Sequence, residues 1–222
     1  MIVRIANSAD ISHVPTLVDW YRESAKLRGV GIAERNPEYL KMKMEMENSV
    51  IAFHKGELAG FCYLEIFEDT VSEDNAHEVF TKEDDNKENN IKQFVVNSGM
   101  IVHPDFRNLG FAKKIKWEIF SLSRTKYPNA KIFSITTSLA VMRMNSELGY
   151  KPVTFSELTK SDDFWNGCKS CKNYSILIEN DRKMCLCTGL EYSNLNDQFN
   201  PNTKTELSEA MKMKIKYINE RT

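Results

Sequence analysis

The stretch 94–122 constrains the fold more than any other part of the chain. Phe94 to Val102 is a strongly apolar strand candidate that carries Asn97, Ser98 and Gly99, and it runs into His103-Pro104-Asp105-Phe106. Arg107-Asn108-Leu109-Gly110-Phe111-Ala112 then opens a helix whose apolar side is marked by Ala112, Ile115, Ile119, Phe120 and Leu122. A strand, a glycine-bearing turn and a helix start in direct succession offer several backbone N–H groups at the positive end of a helix dipole, which suits a diphosphate. Gly110 permits close backbone approach and Ala112 adds little bulk, while Arg107, Lys113 and Lys114 can supplement the charge.

The rest of the chain supplies a mixed sheet. Ile2–Ile5 alternates as a short strand, and Asn7, Ser8 and Asp10 bring turn and capping chemistry. Val14, Leu17, Val18, Tyr21 and Ala25 recur at helical spacing until Arg28, where Gly29 and Gly31 end the pattern. Pro37 starts a second helix through Met46, although Lys-Met-Lys-Met-Glu-Met also alternates like a strand. Val50–Phe53 and Leu58–Phe67 read as a hairpin about His54-Lys55-Gly56-Glu57. Later come a strand at 131–135, a helix at 138–148 stopped by Gly149, a strand at 150–155, and a hairpin of 174–178 with 183–192 turning at Asn180-Asp181. This order predicts an α+β fold: a mixed, largely antiparallel central sheet flanked by helices, with a cysteine-bearing hairpin near the C-terminus.

Residues 68–90 hold nine acids against Lys82 and Lys87 with few apolar anchors, and are predicted to be an acidic insertion in a loop. The expected organisation is one domain over 1–192, its cysteine-bearing end at 164–192, and a tail at 193–222. In that tail Thr203–Glu206 fits a capping box, and the following residues fit a helix or a strand. Thirty Lys and Arg against 31 Asp and Glu leave a net charge of -1, which offers no global attraction to nucleic acid or to anionic membranes. No apolar run approaches the roughly 18 residues of a membrane span and no signal-peptide stretch is present, so a cytoplasmic location is expected. The three tryptophans and ten methionines read as core residues.

The segment Val102-His-Pro-Asp-Phe-Arg-Asn-Leu-Gly-Phe-Ala112 resembles the acyl-CoA pyrophosphate loop of the GNAT superfamily of N-acyltransferases, and Asn145-Ser-Glu-Leu-Gly149-Tyr150 resembles the Leu-Gly-Phe/Tyr ending after the next helix of that family. The likeness covers most of the chain outside the acidic insertion and the tail. Arg28-Gly-Val-Gly-Ile-Ala-Glu-Arg35-Asn-Pro-Glu-Tyr, Ile135-Thr-Thr-Ser-Leu-Ala-Val-Met and the cysteine-bearing end look like the N-acetylglutamate synthase-like subgroup associated with arginine biosynthesis. The resemblance implies an acetyl-CoA cosubstrate and an amino acid amine as acceptor, glutamate or an analogue. It places the thioester and pantetheine along the backbone of Met100, Ile101 and Val102, and the diphosphate on Arg107, Asn108, Leu109, Gly110, Phe111, Ala112 and Lys113.

The sequence departs from the family at two positions: Asn145 stands where a tyrosine acid is usual, and Ser138 where an asparagine is common. A CoA thiolate, with a pKa of about 8.5, leaves without obligatory protonation, so positioning can carry the rate. Tyr150 and Ser138 are substitute donors. Glu65 lies on the Phe61, Tyr63, Phe67 face of its strand by alternation and is the first choice as general base, against a structural glutamate or a water base. His103, at the strand end, either moves protons or orients the turn. Arg28 and Arg35 flank a glycine-rich bend where the family places acceptor-binding residues. A guanidinium fork there suits a dicarboxylate, the alternative being two surface arginines.

Cys168-x-x-Cys171 and Cys185-x-Cys187 supply four thiols, the count of a structural zinc site, with packing thiols or redox chemistry as the alternatives. Competing functions are a protein or polyamine N-acetyltransferase, which the acidic insertion would favour, and a non-catalytic acyl-CoA-binding module. The sequence leaves the acyl group and the oligomeric state open, a homodimer being one arrangement it permits.

Overall fold

The computed structural model describes residues 1–28, 35–70 and 91–192. The expectations for Gly29, Gly31, 71–90 and the tail at 193–222 lie outside the described residues. Met1–Tyr192 cluster as one compact unit, which is the unit described.

Strand β1 (Ile2–Ile5) leads through a 3-10 turn, Ser8–His13, into α1 (Val14–Arg28). Asn7 and Asp10 close that turn reciprocally, and the Asp10 carboxylate takes both arms of the Arg4 guanidinium at 2.7 Å. Helix α2 (Pro37–Glu45) starts on an Asn36 cap with Pro37 in its first turn, so the alternating methionine run is helical, as preferred. Burial decides it: Leu40 and Met44 lie four residues apart and both are fully buried, each contributing about 1.5–3 kcal/mol. Then come β2 (Ser49–His54), β3 (Glu57–Thr70), β4 (Ile91–Val102), α3 (Phe111–Lys126), β5 (Lys131–Thr136), α4 (Leu139–Glu147), β6 (Lys151–Val153), α5 (Asp162–Asn166), α6 (Tyr174–Glu179) and β7 (Thr188–Tyr192).

The seven strands form one sheet in the order β1-β2-β3-β4-β5-β7-β6. Among the described strands only β4 and β5 are parallel, as the helical crossover between them requires. Alternation along β3 sends Phe61, Tyr63, Glu65 and Phe67 to one face and Gly60 and Cys62 to the other. The first face carries two apolar clusters. One joins Leu17, Tyr21, Leu40 and Met44 to Phe61 and Tyr63; the other joins Phe94, Val96 and Phe133 to Phe155, Phe164, Trp165 and Leu177, with Phe67 packed against it. Helix α3 covers the opposite face, where a Cβ on Gly60 would lie 2.7 Å from the Ile115 side chain. Among the described residues no helix is long and apolar enough to cross a membrane.

The structure alters two expectations. The acidic insertion does not begin at Glu68: β3 continues to Thr70 against Ile91, and Asp69 is used structurally. Its carboxylate accepts from Thr159 Oγ at 2.7 Å and from the Lys160 N–H at 2.9 Å, anchoring the connection between β6 and β7. The predicted hairpin of 174–178 with 183–192 is also absent. Tyr174–Glu179 is helical, and Asp181 and Arg182 adopt left-handed conformations that return N–H groups to Ile178 and Leu177 at 3.0 and 2.8 Å. Turn-forming Asn-Asp chemistry serves a helix end as well as a hairpin. Strand β7 begins only at Thr188 and inserts between β5 and β6.

Candidate active site

The parallel pairing of β4 with β5 covers Phe94–Val96 against Lys131–Phe133 and stops there. Beyond Val96, β4 has no strand partner on its β5 side among the described residues, so its backbone is open along that edge. The opening coincides with a bulge. Tyr63 pairs with Ser98 while Phe61 pairs with Ile101, so β4 spends one extra residue there. Gly99 absorbs it at φ +63°, and a Cβ at that position would lie 2.2 Å from the Tyr63 ring, so only glycine fits. Met100, Ile101 and Val102 follow directly, along the splayed edge.

The loop after β4 is held from below by aromatic rings. His103 packs on Trp20 at 4.8 Å and on Phe106 at 5.8 Å, and Phe106 contacts both His54 and Phe111 at 5.4 and 6.2 Å. The His103 Nδ1 accepts the Asp105 N–H at 3.4 Å and caps the short turn Pro104–Phe106. Its observed partners are therefore those of a turn-orienting residue. Asn108 and Gly110 take left-handed φ values of +63° and +84°, and α3 begins at Phe111 with no side-chain cap and no acid in its first turn. The first N–H groups of the helix consequently face an exposed loop of Arg107, Asn108, Leu109 and Gly110. Lys113, expected beside the diphosphate, pairs instead with Glu147 of α4 at 2.8 Å, while Arg107 is exposed and Lys114 half-buried.

On the other face of the sheet, between the two apolar clusters, lies a polar strip. Glu65 sits opposite Val96, the last β4 residue paired to β5, and its carboxylate accepts from Tyr39 Oη at 3.2 Å and from Ser98 Oγ. Burial, reinforced by the Glu65 charge, raises the Tyr39 pKa, so its phenol stays a donor. The Arg35 guanidinium lies 5.6 Å from the Tyr21 ring and 5.7 Å from the Tyr63 ring, and the Lys43 ammonium lies 4.7 Å from the Tyr39 ring. Burial lowers the Lys43 pKa, with Glu65 opposing the shift. Tyr21 Oη donates to the Gly99 carbonyl, tying α1 to the bulge. Glu65 and Arg35 thus both lie near Tyr39 and Tyr63, whereas the Arg28 side chain lies outside the described residues.

Tyr150 belongs to a different network, on the α3 face. Its hydroxyl donates to Asn97 Oδ1 at 3.2 Å, the same atom receives Lys116 Nζ at 3.1 Å, and Asn97 Nδ2 donates to Ser123 Oγ at 2.8 Å. Burial raises the Tyr150 pKa and brings Lys116 down to about 8. Ser138 caps α4, accepting the Val141 N–H at 3.5 Å. Asn145 is fully buried in α4, and its amide oxygen and nitrogen have no hydrogen-bond partner among the described residues. Such an amide costs about 1–3 kcal/mol until a ligand or water meets it.

Tyr39, Ser98, Lys43, Lys116 and Asn97 were not anticipated as site residues. Alternation through β4 puts Ser98 on a face, but no local signal aligns it with Glu65. The four cysteines converge although the hairpin is absent: Cys168, Cys171, Cys185 and Cys187 line one pocket with Ile135, Phe155 and Leu177. Burial and neighbouring thiols raise Cys168 to about 11 and Cys187 to about 12. Among the described residues no three such donors are arranged as a metal cage.

The seven-stranded, mostly antiparallel sheet flanked by helices matches the GNAT fold of solved structures. N-acetylglutamate synthase from Neisseria gonorrhoeae, complexed with coenzyme A and N-acetylglutamate, superposes with a TM-score of 0.51 at 18% identity over 86% of this chain. The chain spans about a third of that protein's length, 34%. Rv2747 from Mycobacterium tuberculosis, in complex with CoA, gives 0.53 at 14% identity over 88% of this chain and 100% of that one. Ribosomal-protein-alanine N-acetyltransferase from Brucella melitensis gives 0.50 at 12% over 86% and 99%. No protein-family profile and no curated protein matches the sequence.

Proposed function

We propose that the protein is an acyl-CoA-dependent N-acyltransferase that moves an acetyl or other short acyl group from the CoA sulfur to the amine of an amino acid, glutamate being the first choice. The observation that carries this reading is the placement of Glu65: its carboxylate, held by Tyr39 and Ser98, lies beside the point where β4 parts from β5. A cosubstrate laid along the open β4 edge, with its diphosphate on the α3 N-terminus, would bring its thioester to that point.

Glu65 takes a proton from the acceptor ammonium, directly or through water, and the neutral amine attacks the thioester carbonyl. Backbone amides of Met100–Val102, on the stretch of β4 beyond its pairing with β5, would polarise that carbonyl. The C–N bond forms as the C–S bond breaks; the second proton of the attacking nitrogen passes to water, and the thiolate departs without a dedicated acid, since Asn145 replaces the usual tyrosine. Arg35, which packs against Tyr21 and Tyr63, would pair with the acceptor carboxylate. The Neisseria and Mycobacterium structures, each holding CoA, and the first also N-acetylglutamate, support the same class of acceptor.

Thiol release from acetyl-CoA with a panel of amino acids, polyamines and a lysine peptide tests the reading. Release with glutamate is expected. Release only with cationic amines would assign a protein or polyamine acetyltransferase, and CoA binding without turnover on any amine would assign a non-catalytic acyl-CoA-binding module.

A further inference from the structure

We propose that Cys168, Cys171, Cys185 and Cys187 bind one structural zinc ion that staples the connection between β6 and β7. That connection, residues 154–187, contains one 3-10 turn, the five-residue α5 and the six-residue α6; Asp69 and the apolar cluster hold its first half, and the four thiols lie in its second. All four thiols nevertheless line a single pocket, although 13 residues separate the two pairs. Asn173 links the pairs further: its N–H donates to Cys171 Sγ at 3.5 Å and its carbonyl accepts from Cys185 Sγ at 3.8 Å.

Four sulfurs and no oxygen or nitrogen ligand select a thiophilic tetrahedral ion, zinc above all. Among the described residues the sulfurs line the pocket without being arranged as a cage. Rotation of cysteine side chains between staggered wells brings them together around the ion. Binding turns four S–H groups into four S–Zn bonds and releases four protons, with no change of oxidation state. The resulting site carries a double negative charge, and the exposed Lys169 and Lys172, each one residue beyond a ligand, lie where they offset it. The N–H donated by Asn173 supports a thiolate at Cys171, whereas its contact with Cys185 is given up as that thiol deprotonates.

The test uses the full chain purified without chelator from zinc-supplemented cells. One equivalent of zinc by elemental analysis is expected, together with thiolate-to-metal charge-transfer absorption of a tetrahedral site after cobalt(II) replacement. Cys185→Ser and Cys171→Ser should each lose the cobalt absorption, while Cys62→Ser, in the sheet core, should keep it. The wild-type cobalt titration stands even if a variant fails to fold. Absence of stoichiometric zinc with no cobalt charge-transfer band would overturn the proposal, as would stoichiometric iron in place of zinc or a mass two hydrogens lower per disulfide in freshly isolated protein.

Discussion

Ser98 donates its hydroxyl hydrogen bond to Glu65 across the β3–β4 ladder, two residues beyond the last β4 residue that pairs with β5. With Tyr39 on the other carboxylate oxygen, this bond fixes Glu65 at the mouth of the splay. Both partners are neutral donors, so they orient the carboxylate while leaving it able to accept a proton.

Glu65→Gln keeps the hydrogen-bonding shape and removes the base. Steady-state kinetics should show kcat lower by about a hundredfold or more, with the acetyl-CoA KM little changed. Retention of kcat in the variant would assign the carboxylate a structural role. Ser98→Ala, which frees one oxygen, should give a smaller loss.

Arg35→Ala should raise KM for a dicarboxylate acceptor by about ten- to a hundredfold, the worth of a hydrogen-bonded ion pair, and leave the acetyl-CoA KM unchanged. Initial rates with glutamate against an uncharged amine separate the two effects. An equal change for both acceptors would place Arg35 outside the acceptor site. The same comparison with Arg28→Ala tests the second arginine.

Two glycines should respond differently. Gly110→Ala meets no atom within 4 Å, yet φ +84° disfavours a side chain, so stability falls by about 1–2 kcal/mol and the acetyl-CoA KM rises as the loop shifts. Gly99→Ala drives a methyl into the Tyr63 ring and should cost about 3 kcal/mol or more. Denaturant titration of both variants gives the comparison.

Lys116 predicts a pH dependence. Its folded pKa of about 8 lies below the ordinary 10.5 because burial disfavours the ammonium. Between those values the unfolded chain binds more protons than the folded one, so this group's contribution to stability rises with pH from about 8 to 10.5. Its penalty, on the order of 3 kcal/mol, is fully present below pH 8. Cys62, pushed up to about 12 by burial, acts in the opposite sense at alkaline pH, so the wild type must be compared with Lys116→Met. The variant should be as stable or more stable at neutral pH, and its advantage should shrink as pH rises. A constant difference across that range would show that Lys116 does not titrate within it.

Local patterns made the turn between β4 and α3 legible. Apolar runs, Gly110 and the helix that follows depend on neighbouring residues alone, and the structure places each of them in the order expected. The alternation that put Glu65 with Tyr63 and Phe67 also held. The same reasoning failed at 174–187, because a short apolar run and an Asn-Asp pair fit a helix end as well as a hairpin, and insertion of β7 between β5 and β6 is settled by packing.

By itself the sequence determined the α+β order, the succession of strand, glycine turn and helix over 94–122, and the face on which Glu65 stands, since these follow from dihedral preference and residue period. Only the tertiary structure decided which groups meet there. Ser98 is 33 residues from Glu65 and Tyr39 is 26, and all four cysteines share a pocket without the hairpin that would have aligned them. Contacts over such separations depend on strand register and on how helices seat against the sheet, and both are set by burying the whole core at once.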